Sequence, residues 1–131
     1  MNTIFSKPSR RWGVSLSILG LVLALTAGAA SAQDRTPAQR QALADLAYVL
    51  GQSHALRQLC AGQGDQFWRA RMQRMIDTEA PDPDFDRQLK QAFNTGYAAT
   101  ETRFTDCDAD SRREEARVAA RGRALAGEVA Q

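Results

Sequence analysis

Apolar residues recur at intervals of three and four along four stretches of the chain, which is the spacing of one face of an α-helix. In the first stretch this stripe contains Leu43, Leu46 and Leu50, and it resumes at Leu56. No stretch shows the alternation of apolar and polar residues that marks a half-buried strand. The pattern therefore predicts an all-α domain of four helices, near residues 37–61, 65–79, 83–104 and 111–129.

Residues typical of helix starts precede each stripe. Thr36 is the predicted N-cap of the first helix, with Pro37 at the first helical position and Gln39 completing a capping box. The other predicted caps are Asp65, Asp82 and, in a second capping box, Ser111 with Glu114. These signals predict where each helix begins.

Two glycines lie inside the helical stripes. Gly51 in the first helix costs about 1 kcal/mol relative to alanine, so it indicates either the close approach of another helix or a bend. Gly96 lies on the aromatic face of the third helix, between Phe93 and Tyr97, and predicts a close neighbour. We interpret this face as the main core-facing surface, with an aromatic ligand-binding wall as the alternative.

The second helix opens with two aromatic residues, Phe67 and Trp68. The spacing of Trp68, Met72 and Ile76 along one face predicts ordinary core packing. The alternative is an exposed aromatic pair that contacts a sugar or a partner protein.

The N-terminal segment has the three parts of a signal peptide. Basic residues between positions 7 and 11 precede an apolar run over 14–25, and small residues lead to a cleavage site after Ala32. The apolar run is shorter than the roughly 20 residues of a membrane span. We therefore predict a signal peptide over 1–32, a single helical domain over 33–131, and a periplasmic or secreted location without a stable membrane span. An uncleaved inner-membrane signal anchor is the alternative.

Loss of the signal peptide would change the charge of the protein. The full chain has a formal net charge of +2, but residues 1–32 contain three basic and no acidic side chains. The remaining 14 basic and 15 acidic residues nearly balance, so net charge does not indicate nucleic acid as a partner. Thirteen of those 14 basic residues are arginines, which reflects either bidentate anion binding or codon bias.

Cys60 and Cys107 are the only cysteines, and both lie in the part predicted to be exported. An oxidising compartment lets a disulfide persist, and a bridge between them would stabilise the domain by about 4 kcal/mol in the chain-entropy model. Two free, metal-binding or redox-active thiols are the alternative, although the chain has no Cys-x-x-Cys spacing. We predict one structural disulfide, which joins the end of the first helix to the loop before the last.

The residue types that build common catalytic and metal sites are scarce. His54 is the only histidine, so a site with two or three histidine ligands is impossible, and we expect a surface or boundary histidine satisfied by hydrogen bonds. Aspartates alternate over 82–86 and 106–110, but neither run has the glycine and glutamate of an EF-hand loop. Both runs precede predicted helices, where aspartate acts as a cap. The sequence therefore predicts no catalytic residue, no metal and no cofactor.

The predicted last helix carries Arg113, Arg117 and Arg121 at four-residue intervals, and we call these three residues the arginine ridge. Stacked like charges cost roughly a few tenths of a kcal/mol per pair. The ridge is therefore a candidate contact for an anionic partner, such as a lipid phosphate, a cell-wall carboxylate or an acidic protein face. A solvated helix face is the alternative.

Four segments, LGQSHALRQLC, DQFWRARMQRMI, FNTGYAAT and ARVAARGRALA, resemble a family of small exported proteins of Gram-negative bacteria whose function is uncharacterised. The resemblance extends from about Ala42 onward. It implies two well-separated, disulfide-bonded cysteines, which match Cys60 and Cys107 here. It implies no catalytic or binding residue.

The leading functional hypothesis is a non-enzymatic binding or adaptor module of the cell envelope, with an envelope protein or an anionic envelope component as its partner. The alternative is a small envelope or cell-wall hydrolase with a carboxylate pair, for which Glu79, Glu101 and Glu114 are available. A deep cleft with two facing carboxylates would favour the enzyme, and a flat apolar patch edged by arginine would favour the adaptor. An interior cavity lined by Phe93 and Tyr97 would indicate a small apolar ligand.

Overall fold

The computed structural model describes Ala32 and residues 34–131. This part of the chain forms four α-helices and contains no strand. The helices are α1 (Pro37–Ala61), α2 (Phe67–Glu79), α3 (Pro83–Glu101) and α4 (Ala109–Val129). The predicted all-α fold is confirmed, and the helix ends differ from the predicted ones by at most three residues, at the end of α3.

Side-chain caps begin α1 and α3 where the sequence predicts. The Thr36 hydroxyl accepts a hydrogen bond from the Gln39 N–H at 3.2 Å, and the Gln39 side chain accepts one from the Thr36 N–H at 3.0 Å. The carboxylate of Asp82 accepts a hydrogen bond from the Phe85 N–H at 2.9 Å. Both predicted N-caps are confirmed.

Two other predicted caps are wrong. Asp108, rather than Ser111, is the N-cap of α4: its carboxylate accepts the Ser111 N–H at 2.9 Å, and the Ser111 hydroxyl accepts the Asp108 N–H at 2.9 Å. Asp65 lies one residue before the N-cap of α2, and its carboxylate binds both the Phe67 N–H and the Arg57 guanidinium. Each segment offers several neighbouring residues that are able to cap, and tertiary contacts select among them.

Helix α1 lies at the centre of the bundle. It packs against α3, α4 and α2, whereas α4 contacts α1 alone among the described helices. Because neighbours cover α1 on several sides, consecutive residues such as Ala42, Leu43 and Ala44 are all buried.

Helices α1 and α3 cross in backbone contact at Gly51 and Gly96. A Cβ atom on Gly51 would lie 2.0 Å from the carbonyl oxygen of Phe93, and one on Gly96 would lie 2.1 Å from the carbonyl oxygen of Tyr48. Both distances are far inside van der Waals contact, so no side chain fits at either point. The close approach considered for Gly51 and the near neighbour predicted at Gly96 are therefore confirmed.

The hydrophobic core divides into two clusters that share α1. The first cluster joins α1 to α2 and α3 and also includes Val129 at the end of α4, and its largest buried members are Leu43, Met72, Ile76, Phe85, Leu89 and Phe93. The second joins α1 to α4 through Val49, Leu56, Val118 and Leu125. The core-facing interpretation of the aromatic face of α3 is confirmed.

Different interactions hold the two ends of the α1–α4 pair. At one end Cys60 and Cys107 form the predicted disulfide, with their Cα atoms 5.0 Å apart. At the other end the Arg35 guanidinium donates two hydrogen bonds to the buried Glu79 carboxylate, at 2.9 and 3.0 Å, and a third to the carbonyl oxygen of Val129 at 2.8 Å. The residues before α1 thereby connect the end of α2 to the end of α4.

None of the helices in the described residues has the length and apolar character of a membrane span. The predicted signal peptide lies outside the described residues, apart from Ala32. That residue is buried, and its N–H donates to the carbonyl oxygen of Glu79 at 2.5 Å.

We expect Gly51→Ala and Gly96→Ala each to lower the free energy of unfolding by about 3 kcal/mol or more, because the new Cβ atom must push two backbones apart. Gly127→Ala is the matched control, since no atom lies within 4 Å of its Cβ position, and helix propensity should stabilise it by about 1 kcal/mol. Urea unfolding followed by circular dichroism measures all three. Wild-type stability in Gly51→Ala would contradict the backbone crossing.

Replacement of Cys60 and Cys107 together by alanine should lower the free energy of unfolding by about 4 kcal/mol. Both cysteines are exposed, so the change opens no buried cavity, and the loss is mainly chain entropy over a separation of 47 residues. Thermal melting with and without reductant measures the effect, and reductant should lower the Tm of the wild type but not of the double variant. If complete reduction of the disulfide left the Tm of the wild type unchanged, the bridge would not stabilise the fold.

Candidate functional site

An apolar groove, here called the interhelical groove, runs along α1 between α2 and α4. It exists because α2 and α4 both pack on α1 but do not contact each other. Its volume is about 430 Å³, which is within the range of small-ligand sites. Its lining residues are Leu46, Val49, Leu50 and Ser53 from α1, Trp68, Arg71 and Met75 from α2, and Val118, Ala119, Gly122, Arg123 and Ala126 from α4.

The interhelical groove lies at the seam between the two core clusters. Leu50 and Met75 pack at the edge of the first cluster, and Leu46 packs at the edge of the second. All three are only half-buried. An occupant that covered them would remove apolar surface from water, which is favourable by roughly 25 cal/mol per Å².

Each wall of the groove carries an arginine, Arg71 on α2 and Arg123 on α4. Neither forms an ion pair with a described residue, and no carboxylate lines the groove. The nearby Arg57, in contrast, binds Asp65 at 2.9 Å. The groove therefore combines an apolar floor with positive charge that the described residues do not neutralise.

Ser53 places a hydroxyl group in this otherwise apolar lining. The residue is 5% exposed, and its side chain makes no hydrogen bond to any described residue. Among the described residues, the buried side-chain atoms that lack a hydrogen-bond partner belong to His54 alone, so the Ser53 oxygen is open to water in the groove. A polar atom of an occupant would take the place of that water.

Phe67 extends the apolar surface beyond one end of the groove. Its side chain is 40% exposed, and its ring packs edge-on against Trp68 with centroids 5.0 Å apart. The guanidinium carbons of Arg57 and Arg71 lie 4.7 and 4.5 Å from its ring centre. The two aromatic residues thus differ: Trp68 is half-buried in the groove wall, and Phe67 is the exposed one.

The arginine ridge is partly neutralised within α4. Arg113 forms an ion pair with Asp110, and Arg117 forms one with Glu114. Arg121 is exposed and forms no ion pair among the described residues. The ridge is therefore less positive than its sequence indicates.

The ridge and the interhelical groove are on opposite flanks of α4. With a rotation of about 100° per residue, Ala119 and Arg123 fall on one side of the buried line through Val118 and Leu125, and the ridge falls on the other. None of the ridge residues lines the groove. The two surfaces are separate, so each can be altered without the other.

The environment of His54 contradicts the expectation of a surface or boundary histidine with hydrogen bonds. It is fully buried, and neither ring nitrogen has a hydrogen-bond partner. The rings of Phe93 and Tyr97 cover it, with centroids 5.7 and 5.5 Å away, because the crossing at Gly51 brings α3 onto this face of α1. Burial lowers the pKa of His54, and the positive charge of Arg69 lowers it further. The imidazole is therefore neutral near pH 7.

The cavity beside Tyr97 is too small for an organic ligand. Its volume is about 30 Å³, and Phe93 does not line it, so it has room for about one water molecule. The Tyr97 hydroxyl donates to Gln58 Oε1 at 2.9 Å. Burial raises the pKa of Tyr97 and Glu101 raises it further, so this donor keeps its proton.

The glutamates considered for hydrolytic chemistry lie on three different helices. Glu79 on α2 binds Arg35, and Glu114 on α4 binds Arg117; both carboxylates are buried. Glu101 is exposed at the end of α3. None of the three lines the interhelical groove.

The two aspartate runs act in helix capping and in surface ion pairs. Asp82 and Asp108 are N-caps, and the backbone N–H groups that they accept hold the pKa of each carboxyl below its usual range. Asp84 and Asp86 pair with basic residues of the next helical turn. Within the described residues, no three histidine, cysteine, aspartate or glutamate side chains come together as a metal site requires.

These features define a small, disulfide-linked four-helix domain with an arginine-edged apolar groove. The chain belongs to the family described as protein of unknown function DUF2385, whose model matches residues 38–131. No curated protein and no solved structure matches it. The resemblance to an uncharacterised family is thereby confirmed, and the match includes both cysteines.

Sequence reasoning missed the interhelical groove. Its residues come from three helices and form no motif, and neither Ser53 nor Arg123 stands out in the sequence. One signal was present: Ala119, Gly122 and Ala126 repeat at intervals of three and four along α4. Such a run of small residues marks a flank that is not filled by large core side chains.

Below about pH 6.5 the free energy of unfolding should fall as the pH falls, by at most about 1.4 kcal/mol per pH unit. The pKa of His54 is lowered in the folded state, so His54 takes up a proton in the unfolded chain at a higher pH than in the folded one. The neutral imidazole therefore makes its full contribution to the free energy of unfolding only above the pKa that His54 has in the unfolded chain. His54 is the only histidine, so His54→Leu should remove this slope between pH 5 and about 7. Urea unfolding across this range measures it, and an equal slope in both proteins would contradict the neutral, buried imidazole.

Proposed function

We propose that this protein is a non-enzymatic binding or adaptor module of the cell envelope, and that the interhelical groove is its main contact surface. The observation that carries this proposal is the presence of unpaired Arg71 and Arg123 on the two walls of an apolar groove. The surface is a groove and not the flat patch that was expected, but its apolar lining is edged by arginine and holds no carboxylate, which supports an adaptor rather than a hydrolase.

The composition of the surface supports a protein as the partner. Tryptophan, tyrosine and arginine are enriched among the residues that dominate binding energy at protein interfaces. Trp68 and Arg71 line the groove, and the exposed Phe67 continues from them. An envelope protein is therefore the proposed partner.

The disulfide and the N-terminal targeting pattern support a periplasmic location. A disulfide persists in the periplasm but is rare in the cytosol. The bridge between Cys60 and Cys107 and the signal peptide predicted over 1–32 both favour export.

The arginine ridge is a second proposed contact, for an anionic component of the envelope. It is the weaker candidate because Arg113 and Arg117 already pair with carboxylates of α4. The groove arginines have no such partner.

Site-specific photo-crosslinking in living cells tests the proposal. A photoreactive amino acid at Ala119 reports on the groove, one at Ala124 reports on the ridge, and one at the exposed Ala98 of α3 is the control. We expect one dominant envelope protein at Ala119, absent at Ala98 and lost when Arg71→Glu and Arg123→Glu are combined.

Two results would count against this assignment. A crosslink at Ala124 alone, lost on reversal of Arg113, Arg117 and Arg121, would move the contact to the ridge. The absence of a specific crosslink at both positions would reject the adaptor proposal.

A further inference from the structure

We infer that the occupant of the interhelical groove is an amphipathic α-helix of the partner, with an apolar stripe flanked on both sides by acidic residues. The inference rests on the proposed function and adds the chemistry of the partner. It follows from the shape of the groove, the placement of its charges and the small residues of its α4 wall.

The shape of the groove suits a helix. Helices α2 and α4 form its walls and do not contact each other, so the groove is open between them and α1 forms its floor. An inserted peptide must satisfy its own backbone hydrogen bonds there, because the lining offers mainly apolar side chains. An α-helix does this internally, and such helix-in-groove binding recurs in protein recognition.

The charges are placed symmetrically. Arg71 stands on one wall and Arg123 on the other, with the apolar floor between them. This is the arrangement that charged residues have on both sides of an apolar seam in a coiled coil. A helix whose apolar stripe has acidic residues on both flanks meets both arginines at once, whereas a ligand with a single anionic group has no need for two separated cations.

The α4 wall allows a close approach. Ala119, Gly122 and Ala126 line it at helical spacing, so no large side chain holds a second helix away. Ser53 adds one polar group to the lining, and its hydroxyl is open to water in the groove. One polar side chain within the apolar stripe would bond to its hydroxyl group.

Occupation would also complete the core. The half-buried Leu46 belongs to the edge of one cluster, and Leu50 and Met75 belong to the edge of the other. Leucine-sized side chains placed at helical spacing along the groove would contact both clusters. The bound state would therefore contain one continuous core in place of two.

Peptide binding read out by Trp68 fluorescence tests the inference. The full chain is produced with Trp12→Phe. Trp68 is then the only tryptophan, whether or not the cell removes the predicted signal peptide. The probes are two synthetic helices of about four turns with the same leucine stripe, one flanked by glutamate and one by lysine. We expect the glutamate-flanked peptide to shift the Trp68 emission to shorter wavelength and to bind about tenfold more tightly.

Charge reversal supplies the decisive comparison. In the Arg71→Glu and Arg123→Glu double variant, the preference should invert in favour of the lysine-flanked peptide. The matched control is Arg74→Glu with Arg112→Glu, which changes the same two helices at exposed positions outside the groove and should leave the preference unchanged. Ala119→Phe should abolish binding by filling the groove, and Ala120→Phe at the next, exposed position should not.

Other outcomes would overturn the inference. Equal affinities for both peptides would contradict the inferred acidic flanks of the partner helix. The same preference in the Arg71→Glu and Arg123→Glu double variant would contradict them too. A response to decanoate with none to either peptide would assign the groove to a small anionic amphiphile, and an emission shift that depends only on protein concentration would assign it to a second copy of the chain. Peptide binding without a cellular crosslink at either Ala119 or Ala124 would reject the adaptor proposal while the groove chemistry stood.

Discussion

The contact of two helix backbones at Gly51 and Gly96 is the constraint on which the rest of the structure depends. Because no Cβ atom separates the chains there, α3 lies unusually close to α1 and covers the face that carries His54. With one side of α1 occupied so tightly by α3, α2 and α4 pack on its remaining surface, and the interhelical groove is the space between them.

Helix α4 depends on a single neighbour for its packing, since among the described helices it packs on α1 alone. Its core contribution is a single line of side chains, Val118, Leu125 and Val129. The disulfide holds its beginning, and hydrogen bonds from Arg35 and Gln39 to the carbonyl oxygen of Val129 hold its end. Fastening at both ends keeps α4 in place beside an open groove, where side-chain packing is incomplete.

The sequence predicts local structure well and the site poorly, for a physical reason. Helices, the caps at Thr36 and Asp82, and the crossing at Gly96 follow from the periodicity and chemistry of neighbouring residues, and the structure confirms them. The burial of His54 depends on a helix about 40 residues away in sequence, and the groove depends on a contact that α2 and α4 do not make. The burial of His54 leaves no trace in local spacing, and the groove leaves only the run of small residues at Ala119, Gly122 and Ala126. The arginines show the same limit. Arg113 and Arg117 attract notice by their regular interval, yet each forms an ion pair within α4. Arg71 and Arg123, which stand at no such interval, form no ion pair among the described residues.

An open groove weakens a small domain, because half-buried leucine and methionine side chains keep part of their apolar surface in water. A domain of this size has a small free energy of unfolding. A larger residue in place of Ala119 or Gly122 would be enough to fill the groove. The disulfide constrains the unfolded chain without adding any packed volume, so it stabilises the fold while the groove stays open. An open groove beside two arginines that form no ion pair among the described residues is what selection for binding would retain and selection for stability alone would remove.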